Sequence, residues 1–126
     1  MKRISLIVPC LNEEEAIPAF KQEIDRVFKE CLEGYAPELI FVDDGSTDGT
    51  PGLLCRYAER DPRIIVVSTP NRGVARARET GIARARGKYI AFLDGDDFWE
   101  PRMLEEMTAS IGQNGGYDIV CCNFKR

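Results

Sequence analysis

Short apolar runs alternate along this chain with longer stretches in which apolar residues recur every three or four positions. Ile4–Val8 is an unbroken apolar run and predicts a strand ended by Pro9. From Glu13 to about Leu32, the residues Ile17, Phe20, Ile24, Val27, Phe28 and Cys31 fall at helical spacing, with Gly34 as the stop signal. Leu39–Val42 predicts a second strand, Leu53–Arg60 a short helix and Ile64–Val67 a third strand. Gly73–Arg86 reads as the third helix and Lys88–Leu93 as the fourth strand. Pro101 suits the first turn of a fourth helix reaching about Ile111, and Tyr117–Cys122 reads as a fifth strand. Strands that are apolar throughout, separated by helices, imply an α/β fold with a mostly parallel sheet covered on both faces. Ligands of such open sheets bind outside the carboxyl ends of the strands. The loops after strands one, two and four are therefore where a site is expected.

Composition narrows the chemistry. At 126 residues the chain has the size of one domain, and 44% hydrophobic residues are enough for a real core. The 21 acids and 17 bases leave a net charge of −4, which argues against a nucleic-acid binder working by bulk charge. With no histidine, His-based acid–base catalysis and the Ser-His-Asp and Cys-His nucleophile systems are excluded. The apolar start is too short for a signal peptide or membrane span, so the reading is cytoplasmic, with attachment to the inner face of a membrane left to a longer form. The cysteines Cys10, Cys31, Cys55, Cys121 and Cys122 form no CxxC pair, which leaves no zinc site. Their odd number fits a reducing compartment, where they read as small buried hydrophobes.

Four constellations carry candidate chemistry. After the first strand comes Pro9-Cys10-Leu11-Asn12-Glu13-Glu14-Glu15, in which Asn12 is expected to cap the helix and the acids to suit its dipole. Pro9, Asn12 and Glu13 are also placed to line a ligand. The second loop, Asp43-Asp44-Gly45-Ser46-Thr47-Asp48-Gly49-Thr50, has the composition of a turn. It mimics the opening of an EF-hand, but counting from Asp44 the twelfth position is Cys55, not the bidentate Glu that calcium requires. Asp43 and Asp44 remain as carboxylates at a strand's carboxyl end, where ring N–H groups or ribose hydroxyls can be accepted. Third, Arg72, Arg76, Arg78, Arg84, Arg86 and Lys88 surround the single acid Glu79. A solvated face is the usual account of such a run, yet Arg78 falls within about 40° of a stripe formed by Val74, Gly81, Ile82 and Ala85 at ~100° per residue. Arg76 falls on the opposite side. Arg78 is thus a candidate for ligand contact or for orienting site carboxylates, and Arg72 for a loop-borne phosphate contact.

The fourth constellation is Phe92-Leu93-Asp94-Gly95-Asp96-Asp97. Carboxylates this close repel one another unless a cation lies among them, and hard oxygens favour Mg²⁺ or Mn²⁺ completed by substrate phosphates. Such a metal neutralises a departing diphosphate.

Taken together, Ile7-Val8-Pro9-Cys10-Leu11-Asn12-Glu13-Glu14, Phe41 through Thr50, Asn71-Arg72-Gly73 with Ala77-Arg78, and Gly87 through Asp97 resemble family 2 glycosyltransferases, inverting enzymes with the GT-A fold. The resemblance spans nearly the whole chain, with four motifs in order. It implies a UDP- or GDP-sugar donor, a Mg²⁺ or Mn²⁺ cofactor and a hydroxyl acceptor on a glycan, lipid or other molecule. It further implies that Pro9 and Glu13 line the nucleoside pocket and that Asp44 accepts from the base ring. Asp94 and Asp96 match the two aspartates of the DxD signature, the first facing ribose and donor sugar, the second the metal, while Asp97 orients the loop. Arg78 matches the arginine of an Ala-Arg-Asn-x-Gly stretch, although Glu79 replaces the Asn. Leu11 stands where many members place an aromatic that stacks on the base. The family's acceptor-deprotonating carboxylate lies further on than Arg126, so residues 1–126 are read as one donor-binding domain of a longer enzyme.

Rival readings fit the motifs less well. A haloacid-dehalogenase-type phosphatase carries its Asp-x-Asp on the first strand, whereas here it follows the fourth and only 29 residues come after Asp97. A nucleotidyltransferase wants a Gly-rich basic loop after strand one, and Pro9–Glu15 has no glycine. The alternative from another class is a non-catalytic nucleotide-binding or assembly module. Metal-dependent nucleoside diphosphate binding separates it from the enzyme.

Overall fold

In the computed structural model, which describes residues 2–93 and 105–109, β1 runs over Lys2–Cys10 and α1 over Ile17–Glu30. Then come β2 (Tyr35–Asp44), α2 (Thr50–Arg60), β3 (Ile64–Thr69), α3 (Val74–Arg84) and β4 (Tyr89–Phe92). Residues 105–109 are helical, within the span expected for a fourth helix. The expected fifth strand, Cys121 and Cys122, and the candidates Asp94, Asp96 and Asp97 lie outside the described residues.

The sheet has the order β3-β2-β1-β4, and every described pair is parallel. The connections from β1 to β2 and from β2 to β3 step one way and that from β3 to β4 steps back. Crossovers of one hand must then put α1 and α2 on one face and α3 on the other. The core divides accordingly. Ile4, Leu6, Val8, Leu39 and Phe41 pack against Ile17, Phe20, Ile24 and Leu54, while Ile7, Ile40 and Val42 pack against Ala77. Both faces being covered, β1 is buried from Ile4 through Cys10 without alternation, as the apolar run implied. Phe20 meets Phe41 edge to face, with ring centroids 6.1 Å apart. On the opposite face the Gly81 position touches Ile7 so closely that any Cβ there would overlap it.

Four local expectations are corrected. Pro9 does not end the first strand; it pairs with Val42 inside β1. The Arg3 and Ile7 carbonyls accept from Lys88 and Leu93, so odd-numbered backbone groups of β1 face β4. Pro9 shares that side beyond β4's last residue, where a missing N–H costs no ladder bond. Glu13–Glu15 do not form the first turn of a helix, because α1 begins at Ile17, with Pro18 in its first turn and no acid there. In α3 the buried residues are Ala77 and Gly81, whereas Val74 and Ile82, expected on the inner stripe, are each 47% exposed. Of the described cysteines Cys10 is buried, Cys31 half-buried and Cys55 exposed, so the expectation of buried cysteines fails at Cys55.

Candidate functional site

Strand order reverses between β1 and β4, and at the carboxyl ends of β1 and β2 a groove of about 230 Å³ opens. The end of β1 contributes Pro9, Cys10, Leu11 and Glu13, β2 contributes Asp44, and the entry to α3 contributes Asn71, Gly73 and Val74. Leu11 and Val74 are among the few large apolar side chains left exposed. The groove therefore combines aliphatic walls with carboxylates, a surface suited to a flat ring bearing N–H or hydroxyl donors.

Asp44 organises one side of it. The side chain is almost inaccessible, yet among the described residues no cationic side chain pairs with it; its two oxygens accept the backbone N–H groups of Arg72 at 2.8 Å and Gly73 at 3.1 Å. The β3–α3 loop can reach it because Gly45 has φ +78° and no side chain, and a Cβ there would lie 2.7 Å from the Asn71 nitrogen. Each Asp44 oxygen keeps lone-pair capacity for a ligand donor. Asp43 points elsewhere and is not part of the groove lining. It is buried, and its Oδ1 accepts the Ser46 N–H at 3.1 Å to close the turn.

The opposite side rests on the Ser46–Thr50 stretch. Asn12 does not cap α1. In the left-handed conformation (φ +53°), it turns its side chain to the β2–α2 loop, where Oδ1 accepts the N–H of Thr47 at 2.8 Å and of Asp48 at 3.3 Å. In return the Asn12 N–H donates to Ser46 Oγ at 2.9 Å and the Glu13 N–H to Thr50 Oγ1 at 3.0 Å. Two consecutive amides of one loop are thus taken by hydroxyl side chains of the other. Asp44, Ser46 and Asp48, whose oxygens make the sequence open like a calcium loop, here accept backbone N–H groups. The Asp48 carboxyl is held below its ordinary value chiefly by the Thr50 hydroxyl, with desolvation opposing and the N–H groups of Thr50 and Glu14 adding to the effect.

Of the residues anticipated from sequence, Pro9, Glu13 and Asp44 come together in the groove. Asn12 sits behind it as a tie between loops, and Asp43 beneath it as a turn former. The Arg72 side chain is exposed while its N–H donates to Asp44; Arg78 is half-buried on α3, Arg76 exposed. Reading the sequence missed Cys10, Asn71, Gly73 and Val74 in the lining, and Ser46, Asp48 and Thr50 as supports. The close spacing of hydroxyls and acids from Ser46 to Thr50 was the available signal, but it reads as a turn until the neighbouring loop is in place. Among the described residues no cluster of His, Cys, Asp or Glu could hold a metal.

Comparison with known proteins agrees with this geometry. The model of glycosyl transferase family 2 matches residues 5–126. The chain is 40% identical over 121 residues to the uncharacterized glycosyltransferase EpsJ of Bacillus subtilis (strain 168), covering 96% of this chain and 33% of that protein. Among solved structures it resembles S. aureus TarS 1-349 in complex with UDP, with a TM-score of 0.72 and 27% identity over 90% of this chain and 32% of that one. It also resembles the mannosyltransferase PcManGT of Pyrobaculum calidifontis in complex with GDP-Man and Mn²⁺, with a TM-score of 0.69 and 30% identity over 90% of this chain and 33% of that one. These likenesses establish the GT-A, Rossmann-like fold. The chain spans about a third of the length of the curated relatives it matches.

Proposed function

This chain belongs to glycosyl transferase family 2, and from that premise we propose that residues 1–126 form the donor-binding domain of a metal-dependent, inverting glycosyltransferase. The observation that carries the reading is the groove itself, an aliphatic-walled cleft at the switch point with the Asp44 carboxylate at its inner end. A nucleobase of uracil or guanine type offers a ring N–H to such an acceptor, and Pro9, Leu11 and Val74 supply the apolar contact. Glu13 faces the nucleoside from the β1 side. Arg72 and Arg78, on the entry and first turns of α3, are assigned to the diphosphate or to orienting the carboxylates that follow β4.

By the match to the family's DxD signature, Asp96 is assigned to Mg²⁺ or Mn²⁺ and Asp94 to ribose and donor sugar, the hard oxygens such an ion favours. Bound there, the ion would neutralise charge on the leaving diphosphate. In the reaction proposed, an acceptor hydroxyl oxygen bonds to the anomeric carbon as the bond to the nucleoside diphosphate breaks on the opposite face. No residue of this chain is assigned to deprotonating the acceptor.

The test is calorimetric titration with UDP and then GDP, each with and without Mn²⁺, repeated on Asp96→Ala. Binding of one nucleotide that strengthens with Mn²⁺ and loses that gain in the variant is the expected result. Binding indifferent to both metal and variant would favour a non-catalytic nucleotide-binding module. No binding of either nucleotide to folded protein at millimolar concentration would overturn the reading.

A further inference from the structure

Thr50 is fully buried although it opens a helix, and α2 has no side-chain cap hydrogen bond. The hydroxyl is instead spent across the loops. It accepts the Glu13 N–H at 3.0 Å, while Thr50's own N–H donates to Asp48 Oδ1 at 2.9 Å. Through Thr50 Oγ1, with Thr50 itself held by Asp48 Oδ1, the start of α2 is tied to the segment that carries Glu13 into the groove. A buried hydroxyl without partners would cost more than the apolar group of the same shape.

We propose that Thr50 is a positioning residue, whose hydroxyl fixes the Glu13 peptide and thereby sets the β1 wall of the groove in the geometry that receives a nucleoside. This rests on the donor-site reading above and adds to it a residue that never touches the ligand. Thr50→Val keeps the branched shape and removes the hydroxyl; Thr50→Ser keeps the hydroxyl. With UDP and GDP in the presence of Mn²⁺, Thr50→Val is expected to weaken binding about tenfold, the size set by one lost hydrogen bond, and Thr50→Ser to restore it. A merely structural threonine would lower the melting temperature of Thr50→Val while leaving the affinity of the folded protein unchanged, and that result would overturn the proposal. Should Thr50→Val fail to fold, Asp48→Asn, which alters the acceptor of the Thr50 N–H, carries the test, with several-fold weaker binding expected and unchanged binding counting against it. Hydrogen exchange over residues 11–15 in nucleotide-free protein separates this proposal from the donor-site reading. If unaltered protein binds neither nucleotide, that reading fails, and exchange alone decides the role of Thr50. About tenfold faster exchange in Thr50→Val, reversed in Thr50→Ser, supports it, and equal exchange refutes it.

Discussion

Glu38 and Asp44 occupy the same face of β2, the face of Ile40 and Val42, and both are nearly inaccessible, yet they are satisfied in different ways. Glu38, toward the amino end, accepts the Ser5 hydroxyl at 2.9 Å, the Arg86 N–H at 2.9 Å and the Arg86 guanidinium at 2.9 Å, with Arg3 at 3.9 Å beyond. Asp44, at the carboxyl end, accepts two backbone amides, and among the described residues no side-chain cation faces it. A carboxylate met by a guanidinium has its charge and its lone pairs committed. One held only by amides keeps its charge and spare acceptor capacity, and here these face a groove. On the proposed function, the strand carries a fastening at one end and a receptor at the other.

The strongest way to break that comparison is Glu38→Ala. Removing one partner of a buried, hydrogen-bonded pair leaves Ser5 Oγ and the Arg86 N–H without their acceptor, and the expected loss is about 3 kcal/mol in denaturant unfolding. The affinity of the folded variant for UDP or GDP should stay within about twofold of the original, a change well under 1 kcal/mol. A parallel fall in affinity would show that the two ends are coupled. Asp44→Asn should give the inverse profile. Its shape is kept, but one oxygen facing a backbone N–H becomes a donor, so nucleotide binding should weaken about tenfold or more at a stability cost of about 1 kcal/mol. Equal binding by the variant would remove Asp44 from the ligand site.

The receptor end was partly legible in the sequence and the fastening end hardly at all. Pro9, Glu13 and Asp44 stand out because they follow strands at positions where open α/β sheets bind ligands, and topology then brings them together. Glu38 lies in Tyr35-Ala36-Pro37-Glu38, a stretch that reads as loop before Leu39, and its partner Arg86 reads as one base of a charge run. Only the register that sets Ser5 opposite Glu38, with Arg86 entering from the α3–β4 loop, reveals them as one cluster. The same holds for Asn12. Its local pattern is that of a helix cap, and Pro18 moves the helix start downstream, freeing Asn12 to tie two loops. Local propensity gave the elements; long-range pairing gave several residues their work.

Acidification sharpens the comparison more gently. Burial opposes the charged form of Glu38, but the Arg86 and Ser5 hydrogen bonds outweigh it and hold the carboxyl below its ordinary value of 4.5. A carboxyl depressed in the folded state stabilises the fold above its unfolded value, and that contribution drains away as pH falls through the folded one. The stability gap between the unaltered protein and Glu38→Gln should thus be constant near neutrality and narrow as pH drops below about 4.5. Urea midpoints from pH 7 to pH 3 read it. Asp61 is also depressed, chiefly by the Arg63 side chain with desolvation opposing, but it is common to both proteins and cancels from the gap. A gap that does not change with pH would mean that Glu38 acts by packing rather than by charge.

The smallest effect belongs to Arg76, which shares a run of bases with Arg86 and nothing of its environment. Arg76 lies 3.7 Å from Glu79 one helical turn on, with both side chains about 70% exposed. Arg86 reaches a carboxylate that is only 3% exposed. Water screens the first pair and side-chain entropy opposes it, whereas the second answers a charge that the fold has already removed from solvent. Arg76→Ala should therefore shift unfolding by less than about 0.5 kcal/mol and leave nucleotide affinity unaltered. If it weakened binding severalfold, the ligand's phosphates would have to extend over the outer face of α3, and the groove between β1, β2 and the α3 entry would be only part of the site.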